Sequence, residues 1–287
     1  MSNESRESNQ VFTGQQPGQA PSGGFQTVNV MRDDFGFEVP VDLVPLPSNG
    51  VIYPPESGLY NRETLEIRAM TAKEEDILTS RALIKKGTVI TELIKSCLTD
   101  KNIDVQSMIS GDRNAIMTAL RVTGYGSDYT VDVECPECAV RQKQEFSLTE
   151  LPIKRLEIAP VSEGANLFEF ELPVTKKKVH FKFLTGRDEQ EMNLIQERRK
   201  KQGQKTDSLV TTRLMHSLVA VNGINDKNKI STFIRNMPAR DSLVLRKFID
   251  KNEPGIEMKA WMTCEECDEH TEVRLPLGAS FFWPDAD

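Results

Sequence analysis

Four of the five cysteines in this chain of 287 residues occur as two Cys-x-x-Cys pairs, Cys135 with Cys138 and Cys264 with Cys267. Two thiolates at this spacing in a turn can bind one metal ion, and tetrahedral zinc takes four such ligands. Each pair therefore supplies half of a site, and we predict one structural zinc ion per chain. The pairs are 126 positions apart, from Cys138 to Cys264, which is far more than in a compact zinc ribbon.

Two other interpretations of the cysteine pairs stay open at this stage: dithiol exchange, and pairs that bind no metal. Exchange requires a thiolate, and the neighbouring carboxylates should raise the thiol pKa and oppose its formation. These carboxylates belong to Glu134, Glu137, Glu265 and Glu266. A structural disulfide is disfavoured in the cytosol, where we expect the chain to remain, because its first residues lack the apolar segment of a signal peptide.

One more cysteine and one histidine could take part in metal binding. Cys97 lies in an apolar helical pattern and is expected to be a small core residue. His270 continues the second pair at the same spacing and could replace a cysteine, although four thiols already complete a tetrahedron. No histidine motif of a metalloenzyme and no phosphate-binding loop is present, so we predict no catalysis and no small-molecule ligand.

The two cysteine pairs are expected at the tips of two similar β-hairpins. Alternating apolar and polar residues precede each pair, and a second short strand pattern follows it. Upstream, an amphipathic helix with an acidic start begins near Asp112 in one copy and near Asp241 in the other. The distance from that aspartate to the first cysteine of the pair is 23 positions in both copies.

The similarity extends farther upstream, to a strand that leads into a helix. Thr71 with Glu74, and Thr185 with Asp188, have the spacing of a capping box at a helix start. From the threonine to the first cysteine, the second copy is longer by 15 positions. We place this insertion in a basic run and in a helix over Leu209–Val221.

These patterns predict an α+β fold of two related repeats, each with a strand, helices and a β-hairpin, joined by a zinc-ribbon-like site of four cysteines. Residues 1–36 are rich in Ser, Asn, Gln and Gly and are expected to form a disordered tail. Residues 37–60 form a proline-rich extended arm that packs on the body. The first repeat spans residues 61–160 and the second spans residues 161–287.

The overall charge argues against one class of function. A net charge of −7 and an isoelectric point near 5.3 argue against a nucleic-acid binder that relies on phosphate attraction. The basic runs at 176–178 and 198–201 are better explained as a solvated turn and a helix end. No stretch approaches the roughly 20 apolar residues of a membrane span.

Several ordered motifs carry a resemblance to a known family. They are the segments Leu46–Pro54, Met70–Thr79, Ile84–Thr88, Gly111–Ala115 and Cys135–Cys138. Together they resemble the baseplate hub assembly proteins of T4-type tailed phages. The resemblance is strongest over about residues 40 to 150.

The resemblance implies a protein of contractile-tail phages that helps to build the central hub of the baseplate, as an assembly chaperone or as a hub component. Its expected partners are hub or spike proteins, and no catalysis is implied. It would act in the host cytoplasm during assembly, and in the virion baseplate if it remains there. The alternative interpretation is a zinc-ribbon regulator that contacts nucleic acid or polymerase. The oligomeric state is left open.

Overall fold

The computed structural model describes residues 31–32, 38–201, 209–277 and 281–282, and mixes helices with short strands. The strands within these ranges are β1 (Met31–Arg32), β2 (Glu38–Val39), β3 (Val41–Pro45), β4 (Thr64–Arg68), β5 (Asp128–Glu134), β6 (Arg141–Ser147), β7 (Ile153–Lys154), β8 (Phe168–Glu171), β9 (Lys178–Phe181), β10 (Leu218–Val221), β11 (Gly255–Ile256), β12 (Lys259–Thr263) and β13 (His270–Arg274). The helices are α1 (Ala72–Thr79), α2 (Arg81–Lys86), α3 (Val89–Cys97), α4 (Ser110–Tyr125), α5 (Gly186–Lys201), α6 (Leu209–Ser217), α7 (Lys227–Asn236) and α8 (Ala239–Asn252).

All strand pairs in the described residues are antiparallel, and the sheets are small. Two-stranded sheets form from β1 and β2, β3 and β4, β5 and β6, β12 and β13, and β7 and β11. A three-stranded sheet has the order β10-β9-β8. The two predicted cysteine hairpins are therefore present, as β5–β6 and β12–β13.

Most of the predicted tail, residues 1–36, lies outside the described residues. Within that stretch the structure places only Met31–Arg32, which pairs with Glu38–Val39 as β1 and β2.

The proline-rich arm, predicted over residues 37–60, contributes to the core. Its buried side chains are Val44, Leu46, Ile52, Tyr53 and Leu59. The arm is less irregular than its prolines suggested, because β3 pairs with β4 and Pro45 is the last residue of that strand.

A tight turn in the arm depends on one glycine. Gly50 has a φ of +72°, in the left-handed region that side chains disfavour. An added Cβ would also lie 2.3 Å from the carbonyl oxygen of Leu59. This close approach brings the two ends of the arm's loop together.

The helix predicted over Leu209–Val221 is too long. In the structure α6 ends at Ser217, and residues 218–221 form strand β10. The reason is tertiary: β10 pairs with β9, with Leu218 opposite Phe181 and Val221 opposite Val179. Periodicity along the chain could not reveal this pairing.

The capping box at the start of α1 is confirmed and extends into a partly buried ion pair. The Glu74 carboxylate accepts hydrogen bonds from the backbone N–H and the hydroxyl of Thr71, at 2.9 and 2.7 Å. Arg68 donates to it at 2.6 Å, and so does Ser96. Burial raises the Glu74 pKa, but the hydrogen bonds from Arg68, Ser96 and Thr71 outweigh burial and lower this pKa to about 2.

The start of α5 has the same arrangement. The backbone N–H and hydroxyl of Thr185 donate to Asp188 at 3.0 and 2.7 Å, and the Lys182 ammonium donates at 2.8 Å. Lys182 precedes Thr185 by three positions, as Arg68 precedes Thr71.

Glu74→Gln should destabilise the protein at pH 7 by about 2 kcal/mol, because a charged acceptor of several hydrogen bonds is lost. Since its pKa is lowered, Glu74 stabilises the fold above about pH 4.5, and this contribution disappears as the pH falls towards 2. Urea unfolding at several pH values measures the difference from wild type, which should shrink in acid. Asp76→Asn, on the exposed face of the same helix, is the control. A loss for Glu74→Gln that does not depend on pH would contradict the explanation.

The acidic residues near the starts of α4 and α8 are fully buried and reach back to preceding turns. Asp112 accepts hydrogen bonds from the Ser48 N–H at 3.0 Å, the Ser48 hydroxyl at 2.6 Å and the Tyr53 hydroxyl at 2.6 Å. Asp241 accepts from the N–H groups of Val174 and Thr175 and from the Thr175 hydroxyl, at 2.7 to 3.0 Å. Each carboxylate thus fixes a preceding turn against a helix start.

The two halves of the chain are in direct contact away from the cysteines. The N–H of Ser110 donates to the carbonyl of Leu184 at 2.8 Å, and the N–H of Gly186 donates to Met108 at 3.0 Å. An added Cβ on Gly111 would lie 1.7 Å from the carbonyl oxygen of Pro254. The start of α4 can therefore approach the end of α8 only because residue 111 has no side chain.

Candidate metal centre

The first cysteine pair is shaped by the turn that joins β5 to β6. The N–H of Cys135 donates to the carbonyl of Val140 at 2.9 Å, and the N–H of Ala139 donates to the carbonyl of Cys135 at 2.8 Å. Ala139 has a φ of +59°, a left-handed conformation that closes the turn directly after Cys138. These bonds turn both thiols of the pair towards the second hairpin.

The turn between β12 and β13 repeats this geometry. The N–H of Cys264 donates to Glu269 at 3.0 Å, and the N–H of Asp268 donates to Cys264 at 2.9 Å. Asp268 has a φ of +54° directly after Cys267. The two pairs therefore occupy turns with the same hydrogen bonds and the same left-handed residue.

The four sulfur atoms converge, as the sequence predicts. The Sγ atoms of Cys135 and Cys267 are 3.9 Å apart, and those of Cys138 and Cys264 are 3.6 Å apart. All four lie within 4.8 Å of one another. Zinc–sulfur bonds of about 2.3 Å give a tetrahedron with sulfur–sulfur edges of about 3.8 Å. The cluster therefore has the dimensions of a four-cysteine zinc site and could hold such an ion.

Apolar packing and hydrogen bonds also hold the hairpins together. Their buried inner faces include Tyr129, Val133, Met262 and Val273. The Tyr129 hydroxyl donates to the carbonyl of Pro276 at 2.7 Å, across a sequence separation of 147. The position of the cysteine pairs thus does not depend on the thiols alone.

The environment of the thiols differs from the sequence-based expectation. Backbone N–H groups of Cys267 and Glu266 lower the pKa of the Cys264 thiol to about 7. Neighbouring carboxylates were expected to raise it, but Glu134, Glu137 and Glu265 point to solvent. The Cys264 thiol can therefore ionise to the thiolate near neutral pH.

Two other thiols have raised pKa values. For Cys267 the N–H of Glu269 lowers the pKa, but burial and the three other cysteines raise it to about 12. For Cys138 the N–H of Val140 lowers the pKa, and burial together with Cys264 and Cys135 more than offsets this. Four close thiols repel a second negative charge, and a divalent cation would remove that repulsion.

The remaining candidate ligands lie elsewhere. His270 is outside the four-cysteine group; its ring stacks on Trp261 with centroids 5.1 Å apart. Cys97 is fully buried in the core, as predicted, and burial followed by the charge of Glu74 raises its pKa to about 12. His216 lies 3.6 Å from Asp188, next to the start of α5. Among the described residues, no helix is long and apolar enough to cross a membrane.

Sequence reasoning missed the three-donor turns at Asp112 and Asp241. The helical patterns showed only an acidic first turn, which the helix dipole explains equally well. The equal distance of 23 positions to the cysteines was the one signal that these two aspartates correspond.

The fold and site define a mixed helix-and-strand protein in which two distant β-hairpins share a four-cysteine cluster. The sequence model of the T4 bacteriophage base plate protein family matches residues 46–283. The match covers most of the chain, which therefore belongs to that family. The resemblance to baseplate proteins of T4-type phages, noted in the first half, is thus confirmed and extends over the second half. None of the curated proteins or solved structures compared with the chain matches it significantly.

Proposed function

We propose that this chain is a non-enzymatic protein that acts in assembly of the central hub of the phage baseplate, and that one structural zinc ion joins its two halves. The zinc ion is proposed because four sulfur atoms converge from hairpins 126 positions apart, with cross-hairpin distances of 3.6 and 3.9 Å. The baseplate family supports the rest of the proposal.

A relation between the two halves supports the role of the zinc ion as a link between repeats. Both halves run through a strand pair, a capped helix, a nine-residue helix (α3 or α6), a longer helix and a cysteine hairpin. The cross-hairpin distances of 3.6 and 3.9 Å are similar, as expected for a pseudo-twofold axis through the cluster. The additional 15 positions then fall partly before α6 and partly at α7.

A body whose two halves are held in one relative orientation suits an assembly protein. Zinc would fix the relative orientation of the halves, so that surfaces on both present one geometry to a hub or spike protein. All three histidines, His180, His216 and His270, belong to the second half, and among the described residues none of them joins the four-cysteine group. We place the protein in the host cytoplasm during assembly, either as a chaperone or as a component that stays in the baseplate.

Co-expression with each phage hub and spike protein, followed by purification through this chain, tests the proposal. A stable complex with one of them is expected, and mass spectrometry of purified virions distinguishes a component from a chaperone. Metal analysis of the reduced, folded protein should give about one zinc per chain. Salt-dependent binding of DNA, RNA or polymerase without any hub complex would instead favour a zinc-ribbon regulator.

A further inference from the structure

One glutamine connects the two hairpins next to the cysteine cluster. Gln142 lies on β6, in the first hairpin. Its side-chain Nε2 donates to the carbonyl of Thr263 at 3.4 Å, and its Oε1 accepts from the N–H of Glu265 at 3.1 Å. Thr263 and Glu265 are the residues on either side of Cys264. The side-chain amide of Gln142 in one hairpin is therefore hydrogen-bonded to the backbone on both sides of Cys264 in the other.

The orientation of this amide follows from its two backbone partners, because the Thr263 carbonyl can only accept a hydrogen bond and the Glu265 N–H can only donate one. Gln142 Nε2 also lies 3.3 Å from the Oε1 atom of Gln144, two residues along the same strand face. This third contact agrees with that orientation but is not needed for it. Both glutamines are half-buried between the hairpins.

Among the described residues, such a pair of hydrogen bonds is present on one side of the cysteine cluster and absent on the other. Residue 142 lies seven positions after Cys135, and the corresponding residue after Cys264 is Thr271. In the part of the chain that the structure describes, Thr271 makes no such bonds to the first cysteine turn. The backbone of the second turn is thus hydrogen-bonded from across the interface, whereas the backbone bonds described for the first turn come from its own hairpin.

We propose that Gln142 is a positioning residue for the metal: it holds Cys264 at ligand distance from Cys138 before the metal binds. This inference rests on the zinc site of the proposed function. A site that is already assembled loses less conformational freedom on metal binding, so the metal binds more tightly. Outer hydrogen bonds of this kind commonly change metal affinity by about 10- to 100-fold.

The test compares Gln142→Met with Gln144→Met in the full chain. Methionine keeps the length of the side chain and removes both hydrogen bonds to the second turn, whereas the Gln144 side chain is hydrogen-bonded to Gln142 and not to that turn. Competition with a chromogenic chelator measures zinc affinity. We expect about a 10-fold or greater loss for Gln142→Met and less than about 3-fold for Gln144→Met. Equal affinities in Gln142→Met and wild type would overturn the inference.

Two further measurements separate positioning from general loss of fold. Circular dichroism of the metal-free variants should match wild type, and the absorption of bound cobalt(II) should show distorted coordination only in Gln142→Met. If Gln142→Met does not fold, Gln142→Leu also removes both hydrogen bonds to the second turn without adding a charge, and the same loss of about 10-fold or more is expected. A wild-type protein that binds no zinc would refute the zinc site itself, which is a different result from equal binding by variant and wild type.

Discussion

Cys135→Ser and Cys264→Ser should each abolish zinc binding and lower the stability of the protein to a similar extent. Either substitution removes one ligand of the same tetrahedral site, although the two residues belong to different hairpins. We expect a loss of about 3–5 kcal/mol, less than the ~10–16 kcal/mol that zinc contributes to isolated zinc-finger peptides. The smaller value follows because packing around Tyr129 also holds the hairpins. Metal analysis and thermal unfolding with and without chelator measure both effects.

The double variant Cys135→Ser/Cys264→Ser gives the sharper result. One shared site predicts that the double variant is little worse than either single variant, because the metal is already lost. Two independent zinc ions would instead give half-loaded single variants and additive losses. Cys97→Ala is the control, since Cys97 lies in the core and its replacement should leave the zinc content unchanged.

Asp112→Ala should be among the most destabilising single substitutions outside the metal centre, with a loss of about 3 kcal/mol or more. It leaves a buried N–H and a buried hydroxyl of Ser48, and the hydroxyl of Tyr53, without their acceptor. Water cannot replace the carboxylate easily, because Ser48 and Tyr53 are almost fully buried. Equilibrium unfolding in urea measures the loss.

Asp241→Ala is the matched comparison in the other half. The hydrogen-bond donors that lose their acceptor lie on the turn at Val174 and Thr175, and Val174 is 49% exposed. Because water can replace the lost acceptor there, we expect a loss of about 1–2 kcal/mol.

The pH dependence of the two contributions should differ in sign. Burial raises the Asp112 pKa, so its contribution weakens as the pH rises through that pKa. For Asp241, burial is outweighed by the N–H groups of Val174 and Thr175, the pKa is lowered, and the contribution is lost in acid. Equal losses with equal pH profiles would contradict these assignments.

The candidate metal site could be predicted from sequence because its ligands are rare residues in a spaced pair, and the pair occurs twice. The hairpins followed from alternation on both sides of Cys135 and Cys264. The relative placement of the two hairpins could not be predicted from the sequence, because it depends on tertiary contacts such as that of Tyr129 with Pro276. Gln142 was invisible for the same reason, since a glutamine on a polar strand has no local signature.

Two predictions from the sequence, the end of α6 and the pKa of the Cys264 thiol, were wrong because of contacts that form only on folding. Residues 218–221 continue the apolar pattern of α6, and only pairing with β9 makes them a strand. The acidic residues near Cys264 suggested a raised thiol pKa, yet backbone N–H groups inside the turn set it to about 7. In both cases backbone hydrogen bonds that form only in the folded protein override the composition of the segment.

The separation of the two hairpins along the chain has a consequence for synthesis on the ribosome. Cys135 and Cys267 meet across 132 positions, and Tyr129 and Pro276 across 147. At a translation rate of about 5–20 residues per second, the first hairpin waits roughly 7–30 s for the second to be made. Closing so long a loop also slows folding. During that interval the Cys135 and Cys138 thiols offer only half of the proposed site, so a metal ion captured early would be bound weakly and would leave. The four-cysteine cluster closes only after both halves have been synthesised, so with zinc as its ligand, retention of the metal would report that the whole chain has folded.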